Sequence, residues 1–173
     1  MTKQLLRWLT RRSVSPTPPQ SSTIRSANEG PARGCPLVVF DTNILFSATG
    51  WRGNPFRCVE LARSGQVRAV TCPEVLRELA EKLAAKLDFS DQQVDETLAD
   101  YLSFHTLVEI PGTLQAVPRD PEDNAVLECA QAGQARFIIT GDGDLLSLGS
   151  FQGIEMLSAA EFQRRWEAGT VVA

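Results

Sequence analysis

Apolar residues run without interruption through Leu37-Val38-Val39-Phe40 and through Phe137-Ile138-Ile139. The first run ends on Asp41 and the second on Thr140-Gly141-Asp142. Continuous runs of this length, bounded by turn residues, suit strands buried on both faces, as in a parallel sheet. Val67 to Thr71 and Ile154 to Leu157 read as further strands, with Leu107 to Ile110 a weaker one. Between these runs the period becomes helical. Phe56, Val59, Leu61 and Ala62 mark the inner face of a helix from about Pro55 to Ser64, with Pro at its start and Gly65 past its end. Val75, Leu76, Leu79, Ala80, Leu83 and Leu87 form a second amphipathic stripe. Ser90 with Gln93, and Ser158 with Glu161, are capping-box pairs that start two more helices, the first ending near Phe104. Asp120 reads as the N-cap of a helix over Asn124 to Gln131, which Gly133 stops. Gly141-Asp142-Gly143-Asp144 leads into a short helical turn, and a Gly- and Asn-containing loop, Gly50 to Asn54, follows the strand that ends on Asp41. Strands alternating with helices predict right-handed crossovers. The expected fold is α/β: a three-layer α/β/α sandwich around a mainly parallel sheet of about four or five strands.

Charge divides the chain in two. Residues 1–34 carry Lys3, Arg7, Arg11, Arg12, Arg25 and Arg33 against Glu29 alone, while the remainder has 11 basic against 20 acidic residues, giving a net charge of −4. The Ser- and Pro-rich composition of that basic arm buries too little apolar surface to offset ordering entropy, so disorder is expected over 1–34 and one domain over 35–173. Residues 4–9 could form a short basic amphipathic helix, and an Arg-rich, Ser-rich, acid-poor start also describes an organellar transit peptide. With no apolar run long enough for a membrane span or a secretory signal core, a soluble, cytoplasmic protein is expected.

Candidate chemistry is mostly acidic. Cys35, Cys58, Cys72 and Cys129 are scattered with no Cys-x-x-Cys, which favours reduced core thiols over zinc ligation or disulfides. His105 is the single histidine and lies in an apolar stretch, so His-based metal ligation and a Ser-His-Asp triad are both poorly supported. Asp41 and Asp142 at strand ends, with Asp120 to Asp123 between them in sequence, place carboxylates at the edge where ligands bind in open α/β sheets. Carboxylates gathered there repel one another unless a cation joins them, which proposes a divalent-metal site.

Four stretches then resemble the motifs of PIN-domain nucleases, in that family's order. They are Val-Val-Phe-Asp41-Thr42-Asn43, Thr71-Cys-Pro-Glu-Val-Leu-Arg-Glu78-Leu, Arg119-Asp-Pro-Glu-Asp123-Asn124 and Ile-Ile-Thr140-Gly-Asp142-Gly-Asp144. The resemblance spans about residues 36–167 and is closest to VapC-like toxins of toxin–antitoxin modules. It implies an endoribonuclease in which Asp41, Glu78, Asp123 and Asp142 hold Mg²⁺ or Mn²⁺, with Asp144 more peripheral. Thr42, Asn43 and Thr140 would support those carboxylates by hydrogen bonds. Arg52 and Arg119 would meet RNA phosphate, with Trp51 able to stack on a base. An antitoxin that supplies a cation to the acidic cluster is the implied partner, along with a homodimer.

Each residue also has a plain structural reading. Asp123 could complete a capping box, Glu78 could pair with Lys82 on a solvated helix face, and Asp144 could be a turn residue. Two other functions stay open at this point. A haloacid-dehalogenase-like phosphatase also uses strand-end Asp and Mg²⁺, although its acid/base Asp position holds Asn43 here. A non-catalytic PIN module that only binds protein or RNA is the other.

Overall fold

The computed structural model describes residues 35–116 and 121–171. The arm over 1–34, together with Arg119 and Asp120, lies outside the described residues. Strand β1 (Leu37–Phe40) has Val38, Val39 and Phe40 buried in succession, as a strand covered on both faces requires. It pairs in parallel with β2 (Arg68–Thr71) on one side and β4 (Phe137–Ile139) on the other. β3 (His105–Leu107) extends the sheet beyond β2, and β6 (Ile154–Leu157) extends it beyond β4, both in parallel. A two-residue strand, β5 (Ser150–Phe151), closes the far edge antiparallel to β6, giving the order β3-β2-β1-β4-β6-β5. Helices flank the sheet in the expected three-layer α/β/α arrangement, and one of them, α5 (Pro121–Ala132), packs against β1, β2 and β4.

Three local readings change. The stretch after Asp41 is a helix, α1 (Thr42–Gly50), with Ile44, Leu45 and Ala48 buried. Thr, Asn, Ser and Gly are weak helix formers, so its own sequence does not announce it; packing on its neighbours α2 (Asn54–Arg63) and α3 (Pro73–Leu87) sustains it. The third strand spans His105–Leu107 rather than Leu107 to Ile110, because α4 (Asp91–Phe104) runs directly into it and buried His105 pairs with Ala69. The β5–β6 hairpin turns on Gln152 and Gly153, both at positive φ (50° and 85°), the conformation of a two-residue type I′ turn.

Local signals elsewhere behave as expected. Ser90 accepts from the Gln93 N–H while the Gln93 side chain accepts from the Ser90 N–H at 2.9 Å, completing the capping box of α4. Ser158 caps the last helix, α7 (Ala159–Glu167), by accepting from the Glu161 N–H at 3.1 Å. Cys58, Cys72 and Cys129 are buried free thiols and Cys35 is half-buried. Among the described residues no helix is long and apolar enough to cross a membrane.

Candidate active site

The sheet order places β1 and β4 side by side at its centre, with chain crossovers leaving in opposite directions. Such a switch point opens a crevice at the carboxyl ends of the strands. Asp41 stands there, at the N-cap of α1 and 5% exposed. Its carboxylate makes no normal cap hydrogen bond; the Asn43 backbone N–H contributes only a weaker favourable interaction. Its firm partner comes from the neighbouring strand end, where the buried Thr140 hydroxyl donates to Asp41 Oδ2 at 2.8 Å. The same hydroxyl oxygen accepts from the Asp142 N–H at 2.9 Å, so one threonine ties the two strand ends together.

Burial pushes the Asp41 carboxyl above the ordinary aspartate range. The Thr140 hydrogen bond opposes that shift, the charge of Glu78 adds to it, and Lys82 opposes it more weakly. Glu78 enters from α3, with a side chain 14% exposed. The Thr42 hydroxyl donates to Glu78 Oε2 at 2.6 Å, and Lys82, one turn further along the helix, forms an ion pair with Oε1. The Lys82 ammonium also donates to Asn43 Oδ1 at 3.0 Å. Asp41, Thr42, Asn43, Glu78, Lys82 and Thr140 therefore make one connected polar cluster at the crevice.

The other acidic positions have different roles. Asp142 is half-buried and caps α6 (Gly143–Leu148), its Oδ1 accepting from the Asp144 N–H at 2.7 Å and the Leu145 N–H at 3.1 Å. Asp144 is exposed in the first turn of that helix. Asp123 is 6% exposed on the first turn of α5. Among the described residues no three Asp, Glu, His or Cys side chains stand in metal-holding geometry. As placed, Glu78 is taken up by Thr42 and Lys82, and one Asp142 oxygen by the helix it caps. Arg52 is exposed, with its guanidinium 4.2 Å from the Phe56 ring centroid, and Trp51 is 58% exposed beside Phe46.

Two contributions were not evident from the sequence. The Glu78–Lys82 spacing signals an ion pair, but not that Lys82 also reaches Asn43 and so belongs to the crevice. Buried Glu128 on α5 accepts from the backbone N–H groups of Gly112, Thr113 and Leu114 at 2.8, 2.9 and 3.1 Å. Although burial alone would raise its pKa, those hydrogen bonds hold it below the ordinary glutamate range. This carboxylate pins the chain between β3 and α5, the helix that carries Asp123.

Other chemistry is closed off by burial. His105 makes its one hydrogen bond through Nδ1–H, which donates to the Tyr101 carbonyl at 2.7 Å, and burial lowers its pKa to about 4. Burial raises the Cys58 thiol to about 11, and the Cys129 thiol is raised by its Cys72 neighbour and by burial. These thiols are poor nucleophiles.

A family model described as PIN domain matches residues 37–144, from β1 to the first turn of α6, and includes Asp41, Glu78, Asp123, Asp142 and Asp144. No curated protein sequence matches the chain. Among solved structures, VapBC2 from Rickettsia felis, crystallised bound to a DNA fragment from their promoter, is similar with a TM-score of 0.50 at 14% identity. The match covers 70% of this chain and 98% of that one, and at this identity it supports the fold alone.

Proposed function

The chain belongs to the PIN-domain family, and from that premise we propose that it is a metal-dependent endoribonuclease acting as the toxin of a toxin–antitoxin module. One observation carries the reading. A buried Asp at the carboxyl end of the central strand is made costly as an anion by burial and by Glu78, yet is held in place by Thr140. A carboxylate kept in such a position suits a site that receives positive charge.

The donor chemistry fits a hard divalent cation, since every group at the crevice except Lys82 offers oxygen. Asp41, Glu78, Asp123 and Asp142 would hold Mg²⁺ or Mn²⁺, with Asp144 at the rim. When bound, such an ion lowers the pKa of a water and neutralises charge on the phosphate under attack. The chain's own residues prepare for this. Thr140 orients Asp41 and Thr42 orients Glu78, so both carboxylates meet their ligand in fixed rotamers. Arg52, Arg119 and the exposed Trp51 would hold RNA by phosphate contact and stacking. With Cys58, Cys72, Cys129 and the single imidazole buried, and half-buried Cys35 bonded through its thiol to the Gln66 carbonyl, hydrolysis proceeds by water rather than through a protein–RNA adduct. The proposed setting is the cytoplasm, with an antitoxin covering the acidic crevice and a second copy forming a homodimer.

The test is incubation of a labelled single-stranded or structured RNA with the protein and Mg²⁺ or Mn²⁺. Cleavage is expected to leave 5′-phosphate and 3′-hydroxyl ends and to cease in Asp41→Asn and in excess EDTA. Cleavage that persists in EDTA, or 2′,3′-cyclic ends, would refute the scheme. Retained binding of RNA or of a protein partner with no cleavage under any metal would favour the non-catalytic module instead.

A further inference from the structure

Lys82 is the one cation whose side chain is drawn into the crevice among the described residues of α3. Arg77 is exposed, and the Lys86 ammonium faces the Phe46 ring at 5.8 Å. Lys82 is 22% exposed, pairs with Glu78 Oε1 and donates to Asn43 Oδ1 at 3.0 Å. The second Glu78 oxygen is already taken by the Thr42 hydroxyl at 2.6 Å. Both oxygens of Glu78 are thus committed, and a cation binding Oε1 would have to displace the Lys82 ammonium.

We infer that Lys82 is a built-in counter-ion of the acidic crevice, which competes with the divalent cation for Glu78 and sets how much metal the protein needs. The inference rests on the nuclease reading above. Lys82 offsets repulsion between Asp41 and Glu78 while the site lacks metal, so it supports the fold in that state. For Glu78 to serve as a ligand, its pair with Lys82 must open, and the ammonium must swing away along its flexible stem. That displacement weakens metal binding by the strength of the pair, and any residual closeness of the two cations weakens it further. Asn43 then has a role other than supporting a carboxylate: it is the second anchor that holds Lys82 inward. In this sense Lys82 is a positioning residue, acting on the metal ligand rather than on substrate.

The experiment is isothermal titration of Mn²⁺ into the full chain, alongside thermal melting without metal. Lys82→Met keeps the apolar stem and helix propensity but removes the charge. It is expected to bind Mn²⁺ about tenfold more tightly than the unsubstituted protein, equivalent to about 1.4 kcal/mol, while melting at lower temperature without metal. Lys82→Gln carries the same expectation if the Met variant does not fold, and Lys82→Arg should stay within about threefold because it keeps the charge. A merely structural ion pair would lower melting temperature and leave binding equal or weaker. If the unsubstituted protein binds Mn²⁺ and neither neutral variant binds more tightly, the role of Lys82 is overturned and the nuclease reading stands. If neither the unsubstituted protein nor the Lys82 variants bind Mn²⁺, or if Asp41→Asn binds as well as the unsubstituted protein, both fall together.

Discussion

Removing the single imidazole should make the fold markedly more acid-resistant. His105 is 8% exposed, packed edge-on against Phe40 at 5.8 Å and beside Phe104 at 4.7 Å. Its Nδ1 lies 2.7 Å from the Tyr101 carbonyl, whereas its Nε2 is buried without a hydrogen-bond partner. Burial outweighs the opposing pull of the Tyr101 carbonyl and Asp100 and, with Arg63 also disfavouring a second charge, brings the folded pKa down to about 4 from the ordinary histidine value of 6.5. The sign of the pH effect follows. Between those values the unfolded chain binds a proton that the folded chain rejects, so stability contributed by neutral His105 is present above pH 6.5 and is lost as pH falls towards 4. Integrating the two titrations gives a loss of roughly 3 kcal/mol by pH 4.

His105→Phe removes the titration while keeping an aromatic ring in the same cluster. The Tyr101 carbonyl is not orphaned, because it also accepts from the His105 backbone N–H at the end of α4. At pH 7 the substitution should change stability by about 1 kcal/mol or less, the net worth of one neutral hydrogen bond against added apolar burial. Urea denaturation of both proteins from pH 7 to pH 4 supplies the test, since carboxylates common to both cancel in the difference. The variant should gain roughly 3 kcal/mol on the parent across that range. The lone imidazole proton resonance gives a second readout, because the sequence holds no other histidine. A folded imidazole titrating near 6.5, or a stability difference flat with pH, would falsify the account of His105 as a neutral core residue.

The remaining predictions concern the crevice and the segment behind it. Thr140→Val keeps the shape of a fully buried side chain but removes its bonds to Asp41 and to the Asp142 N–H. A stability loss of about 2 kcal/mol is expected by urea denaturation, and a loss near zero would show that the two strand ends are not coupled through this hydroxyl. Glu128→Gln should cost a similar amount, about 2 kcal/mol, because an amide accepts through only one of its two ends. Hydrogen exchange at Gly112, Thr113 and Leu114 should accelerate in that variant while the β1 and β4 amides stay protected; unchanged exchange at all three would remove Glu128 as the anchor of this segment.

What the sequence determined by itself was local. The apolar runs of β1, β2, β4 and β6, the amphipathic stripe of α3 and the two Ser-led caps lie in stretches of a few residues. Their signals are periods and i, i+3 pairings that need no distant partner. The order of the four acidic motifs was legible for the same reason, and so was the place of Asp41 and Asp142 just past the ends of two strands. Tertiary structure decided the rest. Helix α1 forms from weak helix formers because its apolar face is covered by α2 and α3. The short strand β5 exists only because a type I′ turn lays it against β6. In the crevice, Thr140 meets Asp41 across 99 residues and Thr42 meets Glu78 across 36, contacts that require the sheet to be assembled first. Lys82 shows the division most clearly. Its spacing from Glu78 encodes a pair on one helix face, an arrangement equally compatible with solvent. Only the packing of α3 against α1 brings Asn43 alongside and turns a surface ion pair into part of the site.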